Sequence, residues 1–182
     1  MTEKLVLCII RDVANALQYL HSNDIIHSDV KPTNVLFSST CEIKVADFGV
    51  SHYAHSISVL QTGEKDGSPL YMAPEMIKGK PIGIPVDIWA LGITAFEMLV
   101  GIPFGLTGCK DFSEWLKSNN PKWSNELKQL LCAMLSIDPS QRPSASSILS
   151  NPLIKNLQQT WLIASPILNT KTLNNIIQSD DD

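Results

Sequence analysis

Residues 27–34 read HSDVKPTN, and they are followed by DFG at residues 47–49 and APE at residues 73–75. Each motif is short and carries little information alone, but this order with these gaps is hard to obtain by chance. The motifs bring two carboxylates, an amide and a lysine into a short part of the chain: Asp29, Lys31, Asn34 and Asp47. The combination indicates a functional site.

The chemistry of these side chains suits a magnesium ion and an anionic ligand. Asn34 and Asp47 offer amide and carboxylate oxygens, which Mg²⁺ prefers. Lys31, two residues after Asp29, falls where its cation can reach an anionic ligand. Taken one at a time, Asp, Asn and Pro are also typical of surface turns. For the whole set in this order we favour the functional interpretation.

Composition and charge narrow the class of protein. The 182 residues are 44% apolar and 18% charged, which is typical of a globular domain. The net charge of −4 argues against nucleic acid as a partner. The apolar run at residues 86–100 is short for a membrane span and contains Asp87 and Glu97. We therefore expect that the protein has no membrane partner. We also expect its cysteines to be reduced and its location to be cytoplasmic, with the nucleus as the alternative.

The periodicity predicts a mainly helical domain with one short strand pair. Apolar spacing indicates a helix over residues 3–20, and residues 35–37 and 42–46 form two strands of a hairpin. Residues 50–72 lack periodicity and are interpreted as a long functional loop. Residues 86–100 are apolar nearly all round, which predicts a buried central helix. Further helices are predicted at residues 111–118, 124–135 and 144–149, with Asp111 and Ser124 as N-caps, before an apolar tail at residues 151–177.

The three motifs resemble the catalytic loop, the metal-binding loop and the end of the activation segment of a protein kinase. The DVKP run resembles the serine/threonine branch, and residues 47–51 and 87–94 are most similar to the MAP-kinase-kinase, or STE-like, group. No glycine-rich phosphate loop and no VAIK-type strand precede residue 27. The resemblance therefore implies a kinase C-terminal lobe at residues 1–154, with the N-terminal lobe absent. Residues 155–182 would form a helical and acidic tail.

The resemblance also implies roles for residues at the site. Asp29 matches the catalytic aspartate, and Lys31 falls where it reaches the transferred phosphate. The resemblance implies ATP and Mg²⁺ as cofactors, with Asn34 and Asp47 as ligands of the metal and the nucleotide. Leu36 would form the floor under adenine. Ser68 would bridge Asp29 and Lys31 and so position the substrate. Leu36 is equally compatible with a buried strand residue.

Five further residues match structural positions of the family. Asp87 resembles the anchor that accepts hydrogen bonds from the catalytic-loop backbone, and its carboxylate also complements the dipole of the central helix. Glu75 and Arg142 match an internal ion pair that joins the activation segment to the last helices. His27 and Phe48 match residues that stack against the upper lobe. Ser28 stands where most regulated kinases have an arginine, so we expect loop phosphorylation at Ser56, Ser58 or Thr62 to be a weak switch.

The implied function is ATP-dependent phosphoryl transfer to serine or threonine of protein substrates. Because no upper lobe covers the nucleotide, this chain alone is expected to be weakly active or inactive. A protein that covers the upper-lobe surface is then an additional expected partner. The alternative is a silent half-kinase that acts as a binding or scaffold module. Retention of Asp29, Lys31, Asn34 and Asp47 counts against that alternative.

Overall fold

Helix α1 spans Glu3–Ser22 in the computed structural model, which describes residues 1–38, 43–54, 68–109 and 111–157. Thr2 caps its first turn, where the side-chain oxygen accepts a hydrogen bond from the amide of Leu5. One face of the helix packs into the core, and Val6, Ile9 and Val13 are fully buried. The prediction of this helix is confirmed, and it ends at Ser22.

The second long helix, α3, spans Pro85–Val100 and lies at the centre of the molecule. Every side chain from Val86 to Phe96 is buried, including the polar Asp87 and Thr94. This confirms the prediction of a central helix that is covered on all sides. The helix ends at Gly101, whose φ of 91° lies in the left-handed region that glycine adopts without strain.

Besides α1 and α3, the described residues contain five shorter helices. The predicted helices are present as α4, α5 and α6, and Asp111, Ser124 and Ser144 each cap one of them. The one-turn helices α2 and α7 were not predicted as separate elements. The bounds of the five are Pro74–Ile77 for α2, Phe112–Asn119 for α4, Asn125–Met134 for α5, Ala145–Ser150 for α6 and Pro152–Lys155 for α7.

Two small antiparallel sheets lie beside α1. Strand β2 (Val35–Phe37) pairs with β3 (Ile43–Val45), as the sequence predicted. Strand β1 (Ile25–Ile26) pairs with β4 (His52–Tyr53), so the prediction of a single strand pair was wrong. Strands of two residues are too short to show an alternating pattern.

Parts of three predictions lie outside the described residues. They concern residues 39–42 of the hairpin, residues 55–67 of the long loop with the phosphorylation candidates Ser56, Ser58 and Thr62, and residues 158–182 of the tail. The described ends of the long loop contain β4 and a 3₁₀ turn at Pro69–Tyr71. Within the described part of the chain, no helix is both long and apolar enough to cross a membrane.

An aromatic cluster joins α3 to α4 and to the segment between them. Phe96 of α3 packs edge-on against Phe104, Phe112 and Trp115, with ring centroids 5.5, 5.8 and 4.8 Å away. Such edge-to-face pairs contribute about 0.5–1.5 kcal/mol beyond their area burial. The cluster fixes α4 against the central helix.

A glycine lies where α3 packs against the end of α5. A Cβ atom on Gly92 would lie 2.8 Å from Cδ2 of Leu135 and 3.3 Å from Cβ of Met134. Both neighbours are buried, so they have little room to move. The absence of a side chain at position 92 therefore sets the spacing of the two helices.

We predict that Gly92→Ala lowers the free energy of unfolding by about 1–3 kcal/mol, because the added methyl group overpacks the helix contact. In an open helix the same change would stabilise by about 0.5–1 kcal/mol. Gly105→Ala is the control, since its Cβ would lie 3.7 Å from Leu70, an ordinary contact. Chemical denaturation measures both variants, and a Gly92→Ala protein as stable as the wild type would contradict the prediction.

Candidate active site

The carboxylate of Asp87 holds the backbone that precedes Asp29. It lies in the first turn of α3, is fully buried, and accepts hydrogen bonds from the amides of His27 at 2.9 Å and Ser28 at 2.8 Å. The sequence predicted this contact. Ser28 has a φ of 68°, in the left-handed region that is costly for a residue with a side chain. The buried carboxylate therefore holds a strained turn next to Asp29.

Asp29, Lys31 and Ser68 form a closed set of contacts. Nζ of Lys31 lies 2.8 Å from Oδ2 of Asp29 and donates to Oγ of Ser68 at 2.8 Å. The amide of Ser68 donates to Oδ1 of Asp29 at 3.1 Å. Burial alone would raise the pKa of Asp29, but hydrogen bonds from Lys31 and Ser68 outweigh it, so the pKa is lowered. Ser68 thus bridges the other two as predicted, and its role towards a substrate stays a prediction.

Asn34 is buried against the same carboxylate. Its Nδ2 donates to the backbone oxygen of Asp29 at 2.8 Å and to Oδ2 of Asp29 at 3.1 Å. The backbone oxygen of Asn34 accepts from the amide of Ala46 at 2.9 Å. These contacts connect the end of the 27–34 segment to the residue that precedes Asp47.

Asp47 and Phe48 are exposed and lie beside the contacts of Asp29 and Asn34. Asp47 has a φ of 64°, and its Oδ1 accepts from the amide of Gly49 at 3.2 Å. Nε2 of His27 lies 3.2 Å from the backbone oxygen of Ala46, and its ring lies 5.0 Å from that of Phe48. His27 belongs to the 27–34 motif, and its ring contacts the segment around the 47–49 motif. It therefore links these two motifs, while its backbone contacts Asp87.

Leu36 faces outwards. It is the middle residue of β2 and is 50% exposed, whereas Val35 beside it is buried. The interpretation of Leu36 as a buried strand residue was wrong, because the strand turns its other face to the core. Phe48 is 51% exposed, so apolar side chains are left uncovered beside the polar site.

A buried ion pair holds the segment that follows Ser68 against the later helices. Arg142 donates through both terminal nitrogens to Glu75, at 2.6 and 2.8 Å, and both residues are 7% exposed. The guanidinium also donates to the backbone oxygens of Ser136 and Pro85, and it lies 5.0 Å from the ring of Trp89. The predicted pair is present, and it fixes α2 to the turn before α6.

A family model of the protein kinase domain matches residues 1–154. The chain belongs to the protein kinase family. It is similar to the serine/threonine-protein kinase pakE of Dictyostelium discoideum, with 39% identity over 178 residues. The SNF1-related protein kinase catalytic subunit alpha KIN12 of Arabidopsis thaliana is 36% identical over 164 residues, and the serine/threonine-protein kinase sid1 of Schizosaccharomyces pombe is 37% identical over 164 residues.

This kinase-family chain spans only part of those relatives. The alignments cover 93%, 87% and 86% of the chain but 19%, 33% and 34% of the relatives' own lengths. The family assignment therefore rests on nearly the whole chain. The activity, substrates and partners of the longer relatives are matters of proposal for this chain.

Two further contacts near this kinase-family site were also not predicted from the sequence. Nε2 of His21 lies 2.8 Å from Oδ2 of Asp87, and the hydroxyl of Tyr71 donates to Glu97 at 2.5 Å. Burial, followed by the hydrogen bond to Glu97, raises the pKa of Tyr71. Both contacts join residues far apart in the chain, so no local sequence signal identifies them.

We predict that Arg142→Ala lowers the free energy of unfolding by about 3–5 kcal/mol, because Glu75 is left buried without its partner. Arg142→Lys keeps the charge but loses the two-pronged contact, so we expect an intermediate loss. Thermal and chemical unfolding give the comparison.

The other arginine of the chain provides the control. Arg11 pairs with its neighbour Asp12 at a less buried position, so Arg11→Ala is expected to cost at most about 1 kcal/mol. An Arg142→Ala protein with the melting curve of the wild type would remove the structural assignment of the Glu75–Arg142 pair.

We predict that Lys31→Met raises the pKa of Asp29, because the change removes a hydrogen bond and a positive charge. A lowered carboxyl pKa stabilises the fold above the pKa of the unfolded chain, about 4, and the benefit is lost as pH falls through the folded value. The stability difference between wild type and Lys31→Met should therefore shrink on acidification.

Carbon-13 titration of the Asp29 carboxyl and unfolding at several pH values measure both effects. Lys122→Met is the control, because Lys122 is exposed and takes no part in the contacts of Asp29. An Asp29 pKa that is unchanged in Lys31→Met would show that Lys31 does not stabilise the ionised carboxylate.

Proposed function

We propose that this chain contributes the catalytic half of a serine/threonine protein kinase, which transfers the terminal phosphoryl group of ATP to a protein hydroxyl. The observation that carries the proposal is the closed set of contacts among Asp29, Lys31 and Ser68. Family membership supports it, because the kinase mechanism needs a positioned carboxylate and a cation at the transferred phosphate. The STE-like grouping, the substrate proteins and a cytoplasmic location remain expectations.

Asp29 is proposed to accept the proton of the substrate hydroxyl as its oxygen attacks. The lowered pKa of Asp29 keeps the carboxylate ionised near neutral pH, which is the state that accepts a proton. Lys31 would leave Asp29 for the transferred phosphate, since its nitrogen already lies beside both Asp29 and Ser68. Ser68 would keep the incoming polypeptide next to the carboxylate.

Asn34 and Asp47 are proposed as the ligands of Mg²⁺. Among the described side chains, no group of three or more His, Cys, Asp or Glu residues could hold a metal ion. An ion held by one carboxylate and one amide needs further oxygens, and Mg²⁺ takes these from substrate phosphates and water. The donor set therefore fits magnesium that arrives with a nucleotide. When bound, the ion neutralises charge that develops on the phosphates.

Leu36 is proposed as the floor under the adenine ring. Its half-exposed side chain and that of Phe48 form an uncovered apolar surface beside the polar site. In a complete kinase an upper lobe covers the nucleotide on this side. We infer that residues 1–154 form the C-terminal lobe, and that this chain alone binds and turns over ATP weakly because water screens the charges at the site.

The exposed apolar side chains also support the alternative of a binding module. Leu36, Phe48 and Tyr53 are each at least half exposed, and a partner protein could cover them without any chemistry. The two proposals differ in what they require of Asp47. Phosphoryl transfer needs its carboxylate, whereas a scaffold does not.

We predict that Mg·ATP stabilises the chain and that Asp47→Asn removes the effect. At ten times its dissociation constant, a ligand of the folded state adds about 1.4 kcal/mol, or about 3–5 °C in a domain of this size. Asp138→Asn is the control, because Asp138 is an exposed capping residue and asparagine also caps.

Phosphoryl transfer to a generic protein substrate provides the second readout. If the chain has measurable activity, Asp29→Asn should lower kcat by about 10²- to 10⁴-fold, which is the usual contribution of a general base. A chain that shows neither a thermal shift at millimolar Mg·ATP nor any transfer would favour the binding module over the kinase proposal.

A further inference from the structure

A cavity of about 480 Å³ opens beside the segment that follows Ser68, and none of the contacts described above fills it. It lies between the 3₁₀ turn at Pro69–Tyr71, helix α2, helix α3 and the 3₁₀ turn at Phe104–Leu106. Its lining is mostly apolar and includes Met72 and Ile93. We call it the α2–α3 cavity.

Four large apolar side chains surround the α2–α3 cavity and are 41% to 61% exposed: Leu70, Ile77, Leu106 and Ile137. Three of them line the cavity, and Leu106 directly follows Gly105, which also lines it. One exposed apolar side chain is ordinary on a protein surface, but four around one cavity form a patch that another stretch of polypeptide can cover.

Trp89 of α3 also lines the cavity and is itself buried. Its ring contacts Arg142, but its Nε1 has no hydrogen-bond partner among the described residues. A buried N–H group without an acceptor costs free energy. An occupant that brings a backbone oxygen to this wall of the cavity would supply the missing acceptor. The cavity therefore suits an apolar stretch of polypeptide.

The charge at the cavity favours an acidic occupant. Among the described lining residues, Lys78 alone carries a charge, and the exposed Lys80 lies two positions further along the chain. A negative charge on the occupant would meet this side of the rim with the opposite sign.

The tail at residues 158–182 combines the same two properties in its sequence. It contains three aspartates at positions 180–182 and a single basic residue, Lys171. Eight of its 25 residues are large and apolar: Trp161, Leu162, Ile163, Ile167, Leu168, Leu173, Ile176 and Ile177. An extended chain spans about 3.3 Å per residue, so a stretch of this length reaches about 80 Å, roughly twice the diameter of a domain of this size.

We propose that the tail docks in the α2–α3 cavity of its own chain and covers the segment beside Ser68. Its apolar residues fill the cavity, and its aspartates lie near Lys78. Because the tail belongs to the same chain, its effective concentration at the cavity is in the millimolar range, so weak contacts are sufficient. A docked tail keeps an incoming polypeptide away from Pro69 and Leu70. This inhibitory consequence rests on the proposed function, whereas the docking does not.

Methyl NMR of the complete chain tests the docking from the side of the cavity. The double variant Trp161→Asp, Leu162→Asp places two charges in the apolar run of the tail, so the methyl signals of Ile77 and Ile137 should move. The double variant Gln158→Asp, Gln159→Asp is the matched control, because it adds the same charge outside that run. Its methyl signals should stay at the wild-type positions.

The reciprocal experiment follows the indole N–H signal of Trp161. Ile77→Asp changes an exposed residue of the rim and should shift this signal without unfolding the domain. Ile102→Asp is the control, since Ile102 is also exposed and does not line the cavity.

Three results would overturn the docking. The first is a set of Ile77 and Ile137 signals that is identical in the wild type and the Trp161→Asp, Leu162→Asp variant. The second is a change confined to Ile148, which would place the tail in the groove between α5 and α6 instead. The third is a wild-type signal that moves on dilution, which would identify a second copy of the chain as the occupant.

Phosphoryl transfer separates the inhibition from the docking. If the tail is docked in about two thirds of the molecules, the Trp161→Asp, Leu162→Asp variant should transfer phosphate about threefold faster than the wild type. Docking in the NMR experiment with equal transfer rates would leave the docking in place and reject the inhibition. Docking without any transfer from Mg·ATP in either protein would leave the docking in place and count against the proposed function.

Discussion

The carboxylate of Asp87 is the constraint on which the rest of the site depends. A buried charge is costly unless it is hydrogen-bonded, and the carboxylate of Asp87 accepts from the backbone amides of His27 and Ser28 and lies against the ring of His21. Since Asp87 belongs to the buried part of α3, the segment that precedes Asp29 is fixed to the core. These hydrogen bonds hold the strained turn at Ser28 in place.

The other polar contacts extend the site outwards from that anchor. Asn34 and His27 connect the segment to Ala46, and Ser68 brings the end of the activation segment to Asp29. The Glu75–Arg142 pair then secures the stretch of chain after Ser68. Each of these contacts joins parts of the chain that lie apart in sequence, and the central helix provides a common frame for these short and irregular segments.

Much of the fold could be read from the sequence because long helices have a strong periodic signal. The faces of α1 and α3 and the caps at Asp111 and Ser124 depend on residues close together in the chain. The pairing of β1 with β4 could not be read, because two-residue strands are defined by a distant partner. The exposure of Leu36 could not be read either, since an apolar residue in a short strand does not reveal which face of the strand packs against the core.

The sequence by itself determined which functional groups the site contains. It also determined the family, since both depend on residue types at fixed spacing. It also identified Asp87, Glu75 and Arg142, whose roles follow from the family pattern. Only the tertiary structure decided that His21 contacts Asp87, that Tyr71 meets Glu97 and that Leu36 faces outwards. The physical reason is the same in each case: hydrogen bonds and burial depend on which distant segments pack together, and local spacing carries no record of that.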